Sequence, residues 1–512
     1  MAAAKLRILY ISIILACVIN MPALAGDAER DVTLESILQR LDRLEAENRE
    51  LRKLLSEQAA DTQEKGFETS SKEFNSDLSL VGFNATYSFN VLDHAEMTNT
   101  KQLYQLKSLE NAQLTNKLTL GGQITALANY QSATEDSKFG WLMRHPTSAN
   151  QIGKSASEAV VHSANINMTG RLTEDVTAYL ELLYNPEQNF AANSTITGLP
   201  RNNVNVRKAY ILWGNLDKTP WYGALGKMDI PFGWNDTVSP FTNSTNWHSF
   251  AGLAYGALLG YSNENLHLRA MAIQGGAQFR NANMPVEGTN VPSRLNNFAA
   301  DGNFTLPVGS GLLNVGLSYQ HGSSYCQNFV DTPQSAHSTP VVIPGVTRNT
   351  IPQGVKHFND CSDNVEAFAA YSVLKYDTGQ VFLEYASTLD VWPGTANPYI
   401  PEYEAARNRT FTIGGRKALD LGFSKDIDLS LEFSRFNAGA PGSDWEKQDQ
   451  IVLGASYFFS PAVNLFGEVI HVEGWVPLNF LSGGNPGSLV GTSWSSQSSS
   501  NDILNFGLQA GF

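Results

Sequence analysis

Cysteine is scarce: the 512 residues hold three, and Cys17 falls within the only apolar run. A disulfide-dense scaffold is therefore excluded. Charge is sparse too, at 16% of residues with a formal net charge of -14, which excludes a nucleic-acid binder as a default. No continuous apolar stretch is long enough for a membrane helix in the mature chain. Catalytic signatures are also missing: there is no G-x-S-x-G, no H-E-x-x-H, no phosphate loop and no metal-spaced Cys or His cluster. The expectation is a protein that is not an enzyme, with no cofactor, no metal and no nucleic-acid partner.

What remains suits one large β structure: 42 glycines, Asn-rich loops and 10% aromatics. The apolar run Ile8 to Ile19 follows Lys5 and Arg7 and precedes Ala23-Leu24-Ala25, an A-x-A cleavage pattern. Residues 1–25 read as a secretory signal. Export to an oxidising compartment leaves Cys326 and Cys361 as a pair.

Residues 26–56 hold a heptad seam, with Leu34, Leu41, Asn48 and Leu55 at a, and Ile37, Leu44 and Leu51 at d. Arg40 with Glu45, and Glu47 with Arg52, place opposite charges at successive g and e positions, which suits a short parallel coiled coil joining subunits, with a trimer expected. Residues 57–116 read as a linker with one isolated strand, Leu80 to Val91, and a hint of helix over Leu103 to Leu114. That strand has two readings: it lies outside the membrane wall, or it begins an eighteen-stranded barrel.

From residue 117 to 512 the chain repeats strands of about ten to fourteen residues with period-two alternation, the length of a tilted transmembrane strand. The connections alternate strictly between seven short ones, such as Ser262 to Glu264 and Ser460 to Ala462, and eight long ones, such as Ile230 to Ser249 and Ser323 to Ser362. This parity predicts an all-β fold: an antiparallel transmembrane barrel of about sixteen strands with both ends on the short-turn side. A barrel that wide encloses an aqueous channel unless something fills it.

If the apolar parity faces lipid, Glu181, Arg269, Glu366, Glu384, Arg416, Glu432 and Glu468 face the lumen, together with Lys117 and Lys227. Mostly acidic, such a lining predicts a cation-leaning pore. Cys326 and Cys361 lie just past two neighbouring strands, Leu313 to Tyr319 and Val365 to Val373, so a hairpin brings them together at the base of the longest loop.

The last strand, Asp502 to Phe512, alternates Leu504, Phe506, Leu508, Ala510 and Phe512 on one face. It resembles the closing strand of outer-membrane barrels, whose terminal aromatic is recognised by the barrel-assembly machinery. Gly226, Lys227, Pro231, Phe232 and Gly233 read physically as a strand end that Pro231 stops and Gly233 turns into a loop. They also resemble the G-K/R-x-x-x-P-F-G element of LbtU-family siderophore porins and, more loosely, of phosphate-selective porins. Signal, heptads, linker, barrel, this element and Phe512 together resemble the LbtU family over nearly the whole chain. The resemblance implies outer-membrane uptake of a small solute, a ferric siderophore, without a globular plug of the TonB-dependent kind. The residues before the barrel are too few and too helical for such a plug. A general or substrate-selective diffusion porin shares the architecture, and an adhesin or structural barrel is the different-class alternative.

Overall fold

The computed structural model describes residues 79–136, 153–184, 204–274, 278–279, 295–322, 365–391, 402–437, 439–443, 446–474 and 497–512. The signal segment, the heptads, and Cys326 and Cys361 lie outside them. All the described residues belong to one compact unit, Phe74–Phe512.

Sixteen antiparallel strands close on themselves. They are β2 Asn116–Ala133, β3 Ser155–Arg171, β4 Val176–Tyr184, β5 Val204–Gly214, β6 Trp221–Asp229, β7 Gly252–Ser262, β8 Leu266–Gln274, β10 Leu295–Val308, β11 Gly311–Gln320, β12 Ala367–Tyr376, β13 Gly379–Thr388, β14 Arg409–Leu419, β15 Ile427–Asn437, β16 Lys447–Ser460, β17 Val463–Gly474 and β18 Ser500–Gly511. Each pairs with the next, β8 pairs with β10, and β18 pairs with β2 from Gly511↔Gln123 to Asn501↔Ala133. A short strand, β9 Gln278–Phe279, touches β7 at Gly252 and is not part of the ring. The connections follow the expected alternation of short turns and long loops, so all the short turns share one rim.

The two-residue period sets the faces. On β15, Ser430, Glu432 and Ser434 are buried while Leu429 and Leu431 stand exposed; on β18, Asn501, Asn505 and Gln509 are buried while Phe506 and Leu508 are exposed. Exposed outer positions elsewhere are Leu225, Leu259, Leu317, Val381 and Leu453. An apolar outside and a polar inside invert a water-soluble barrel and match one surrounded by lipid.

The run Leu80 to Val91 is only half a strand. β1 (Ser79–Phe83) pairs in parallel with the first residues of β2, from Ser79↔Asn116 to Phe83↔Leu120, on the edge that β18 leaves open below Gly122. Asn84 then caps a helix, its Oδ1 accepting from Tyr87 N at 2.9 Å, and α1 (Ala85–Leu92) follows. Tyr87, Phe89 and Val91 alternate in sequence, but in α1 they are buried together with Ser88 and Leu92. The expected second helix is present as α2 (Lys101–Glu110). This segment has turned inward: α1 packs on β2, β3 and β18. Residues 84–115, expected as part of a linker, instead form a helical segment that lies inside the barrel.

A protein-filled interior also explains a parity error. On β12 the buried residues are Ala367, Ala369, Tyr371 and Val373, so the small and apolar positions face inward and Glu366 shares the outward parity. Inward residues that meet packed protein need not be polar.

Candidate functional site

The lumen is built from two inward segments held on the wall. The first is the β6–β7 connection, residues 230–251. Pro231 ends the pairing of β6, and Gly233, at φ 67°, bends the chain inward in a conformation that other residues rarely adopt. The Phe232 and Phe250 rings stack at 5.8 Å between centroids across the loop's base, and the loop carries a short helix, α3 (Thr245–Phe250).

From there the loop runs along the far inner wall and is fastened at alternate strands. Ser318 on β11 accepts from Gly233 N at 2.9 Å. Glu384 on β13 accepts from Trp234 N at 2.7 Å and Asn235 N at 3.0 Å. Glu432 on β15 accepts from Thr237 Oγ1 at 2.6 Å and Val238 N at 3.1 Å. Glu468 on β17 accepts from Phe241 N at 2.9 Å, Thr242 N at 2.8 Å and Thr242 Oγ1 at 2.7 Å. The strands between them give way: a Cβ on Gly414 of β14 would lie 2.7 Å from Val238 Cγ2, and one on Gly454 of β16 would strike the Pro240 ring. Direct register pairs Gly414 with Glu432 and Gly454 with Glu468, so carboxylate and gap stand side by side. Stacking of Phe241 on Phe466 at 5.4 Å completes the seat.

The second inward segment is residues 84–115. Its course across the lumen is set by contacts with widely separated strands. Tyr87 Oη and Thr169 Oγ1 on β3 are 2.8 Å apart. Glu96 pairs with Arg416 on β14, and the Asn99 carbonyl accepts from Arg269 Nη1 on β8. Tyr210 Oη on β5 donates to Gln105 Oε1 at 3.0 Å, and Arg171 on β3 donates to the Leu114 carbonyl at 3.0 Å. The middle of the segment meets the loop: Asp236 accepts from Met97 N and Thr98 N at 2.9 Å each, Thr237 N donates to Ala95 O at 3.1 Å, and Asn99 Nδ2 donates to Phe232 O at 2.6 Å and Gly233 O at 2.8 Å. Lys101 braces the segment from within, donating to its own Asn90 and Glu96 carbonyls at 2.6 and 2.8 Å.

Burial shapes the charges on these two segments. The Asp93 and Asp236 carboxyls are each pushed up to about 6 by desolvation, and desolvation pushes the Lys101 ammonium down to about 8. Glu96 is also desolvated, but the Arg416 guanidinium beside it holds it below the ordinary carboxylate range.

Of the sequence-expected lumenal residues, Glu181, Arg269, Glu384, Arg416, Glu432 and Glu468 do face inward. None of these carboxylates is an unengaged rung of an acidic ladder. Glu384, Glu432 and Glu468 hold the loop. Glu181, 2% exposed, accepts from Tyr179 Oη at 3.3 Å and lies 3.7 Å from Arg207, while Arg269 pairs with Asp301 at 2.7 Å. Lys117 has the parity of buried Thr119 and Gln123. Two residues do not belong to the set. Glu366 meets His321 at 3.0 Å on the outward parity, and Lys227 lies on the outward parity of β6 with its ammonium on the Val206 carbonyl at 2.9 Å. In the G-K-x-x-x-P-F-G element, Gly226 sits at φ 141° against the Ala209 carbonyl, where a side chain would collide, and Pro231, Phe232 and Gly233 launch the inward loop.

Sequence reading missed Asp236, Asn99, Asp301 and the segment around Glu96. A signal was available in the loop. Trp234, Val238, Phe241, Trp247 and Phe250 are too many large apolar residues for a connection lying in water, and Val238, Phe241 and Phe250 are at most 4% exposed.

No family model matches the chain, and no curated protein does. Solved structures similar to it include the anion-selective porin from Comamonas acidovorans, 11% identical over 77% of this chain and 99% of that one with a TM-score of 0.42. Another is the outer-membrane channel DcaP of Acinetobacter baumannii, 12% identical over 76% and 96% with a TM-score of 0.41. A third is OprB of Pseudomonas putida, 8% identical over 82% and 99% with a TM-score of 0.44. The barrel itself rests on the closed strand register described above, and the resemblance to LbtU-family porins rests on the sequence elements alone.

Proposed function

We propose that this protein is an outer-membrane channel for a small solute, narrowed by the two inward segments. The observation that carries the reading is the closed sixteen-strand ring with apolar residues outside and polar residues inside, which gives a lipid-embedded wall around a polar-lined lumen that the two inward segments narrow. The LbtU-family resemblance adds the solute class, a ferric siderophore. The heptads of residues 34–55 then tie three copies together in the periplasm, and Phe512, whose N–H and carbonyl both bond to Gly122 at 2.9 Å, presents the closing strand to the assembly machinery.

Two measurements test this. Purified protein in a planar bilayer is expected to carry discrete currents; their absence, also after residues 84–115 are removed, would overturn the channel. A deletion strain on iron-poor medium is expected to lose growth support from its own siderophore and to regain it with the gene. Equal growth of the two strains would remove the siderophore and leave the channel.

A further inference from the structure

We infer that residues 84–115 form a hinged stopper, latched onto the inward loop by Asp236 and Asn99, and that solute passes when this latch lets go. The inference rests on the channel reading and adds the moving part.

The hinge is set by topology. β1 ends at Phe83 and β2 begins at Asn116, and these two strands lie side by side in parallel at the short-turn rim. The register sets Phe83 beside Leu120, four residues along β2 from Asn116, so the segment leaves and rejoins the wall within one short strand pair, and Asn84 Nδ2 donates to the Gln113 carbonyl at 2.9 Å across its neck. Such a segment can swing about its neck without breaking a rung of the closed ring. The inward loop is fastened by three carboxylates and Ser318 on four strands, whereas the segment's wall contacts, through Tyr87, Glu96, Asn99, Gln105 and Leu114, must part together with the latch when it swings. The loop is the seat and the segment is the part that moves.

The buried polar atoms of the segment point the same way. Ser88 Oγ, Thr98 Oγ1, Gln102 Nε2 and Ser108 Oγ are buried and meet no hydrogen-bond partner among the described residues. A permanently packed element meets its wall with apolar or fully paired groups. A surface that also spends time in water keeps polar ones, and its return to water is made easier by those unpaired atoms. The internal brace from Lys101 to the Asn90 and Glu96 carbonyls holds the tip in shape as it moves.

The latch is addressable: Asp236 and Asn99 make four of the hydrogen bonds between segment and loop, beside the Thr237 N–H on the Ala95 carbonyl and His94 Nε2 against the Phe241 carbonyl, each at 3.1 Å. The test uses full-length protein in planar bilayers, each variant first shown to keep the heat-modifiable mobility of a folded barrel. The double variant Asp236→Ala/Asn99→Ala is expected to raise the open fraction several-fold. The pair Ala95→Cys/Thr237→Cys, placed where the Thr237 N–H meets the Ala95 carbonyl at 3.1 Å and made in a Cys326→Ser/Cys361→Ser background, is expected to conduct when reduced. Oxidised, it is expected to lose current by about tenfold or more, because the cross-link holds the closed population. Equal currents from the wild type, the double variant and both redox forms would overturn the stopper while the channel stands. No current from any folded form would overturn the channel and the stopper with it.

Discussion

Glu468 receives two backbone N–H groups and a hydroxyl from the loop while 1% exposed, so its worth lies in what its removal leaves unpaired. Each buried N–H without a partner costs about 1–3 kcal/mol, and Glu468→Ala orphans those of Phe241 and Thr242. The variant is expected to loosen the loop by about 2–6 kcal/mol, seen as proteolysis within residues 230–251 that the wild type resists. Ion selectivity is expected to stay unchanged when Glu384, Glu432 and Glu468 are all replaced by Gln. A lost cation preference in reversal-potential measurements would restore the acidic-ladder role. Gly454 tests the seat from the other side. In Gly454→Val the new side chain meets the Pro240 ring, and overpacking of this kind costs about 1–3 kcal/mol. The loop is expected to shift rather than β16, because β16 is paired along both edges, and the shift is read as an altered single-channel conductance. That these carboxylates face inward was legible from period-two parity alone. Their partners lie about 150 to 227 residues away in sequence, and no local pattern carries such a pairing.

Strands and connections were the most legible elements, because a wall that meets lipid on one face and the interior on the other leaves its period in every strand. The alternation of short turns and long loops gave the strand number for the same reason. The segment from Leu80 to Val91 misled because Tyr87, Phe89 and Val91 alternate in sequence while a cap at Asn84 starts a helix there, and because its apolar residues pack inside the barrel. β12 misled because Ala367 and Ala369 face a packed interior. Two elements outside the described residues carry predictions of their own. Deleting residues 34–55 is expected to leave a heat-modifiable barrel whose oligomer dissociates on an unheated gel, and an unchanged oligomer would remove the coil's role. A Cys326–Cys361 disulfide is expected to close the longest loop. On the chain-entropy account it contributes about 3–4 kcal/mol to loop order, and two titratable thiols in unreduced mature protein would rule it out.

At the scale of the whole molecule, the two inward segments make the lumen responsive to pH, and the sign follows from which state is desolvated. Asp236 faces the Met97 and Thr98 N–H groups, with Glu96 and Lys101 on the segment and Glu384 on β13 nearby. Asp93 faces Lys101, Glu96 and Arg416, and Lys101 faces Asp93, Asp236, Asp229 and Lys208. In the packed state both aspartates are raised to about 6 from the model-compound value of 3.8. The packed state therefore binds protons more tightly than a water-exposed segment does, and it gains stability as pH falls through about 6 toward 4. Lys101, lowered to about 8 from 10.5, works in the opposite sense: the packed state gains stability as pH rises above about 8. Between these limits all three groups are charged and desolvated, and the latch is at its weakest. Open probability is thus expected to peak between about pH 6 and 8 and to fall on acidification, with Asp236 alone contributing at most about 3 kcal/mol. In Asp236→Asn the side chain keeps one acceptor oxygen and loses the titration, so the acid limb of the profile is expected to flatten while the alkaline limb set by Lys101 persists. An acid limb identical to the wild type's in bilayer recordings from pH 4 to 7 would remove Asp236 from the response.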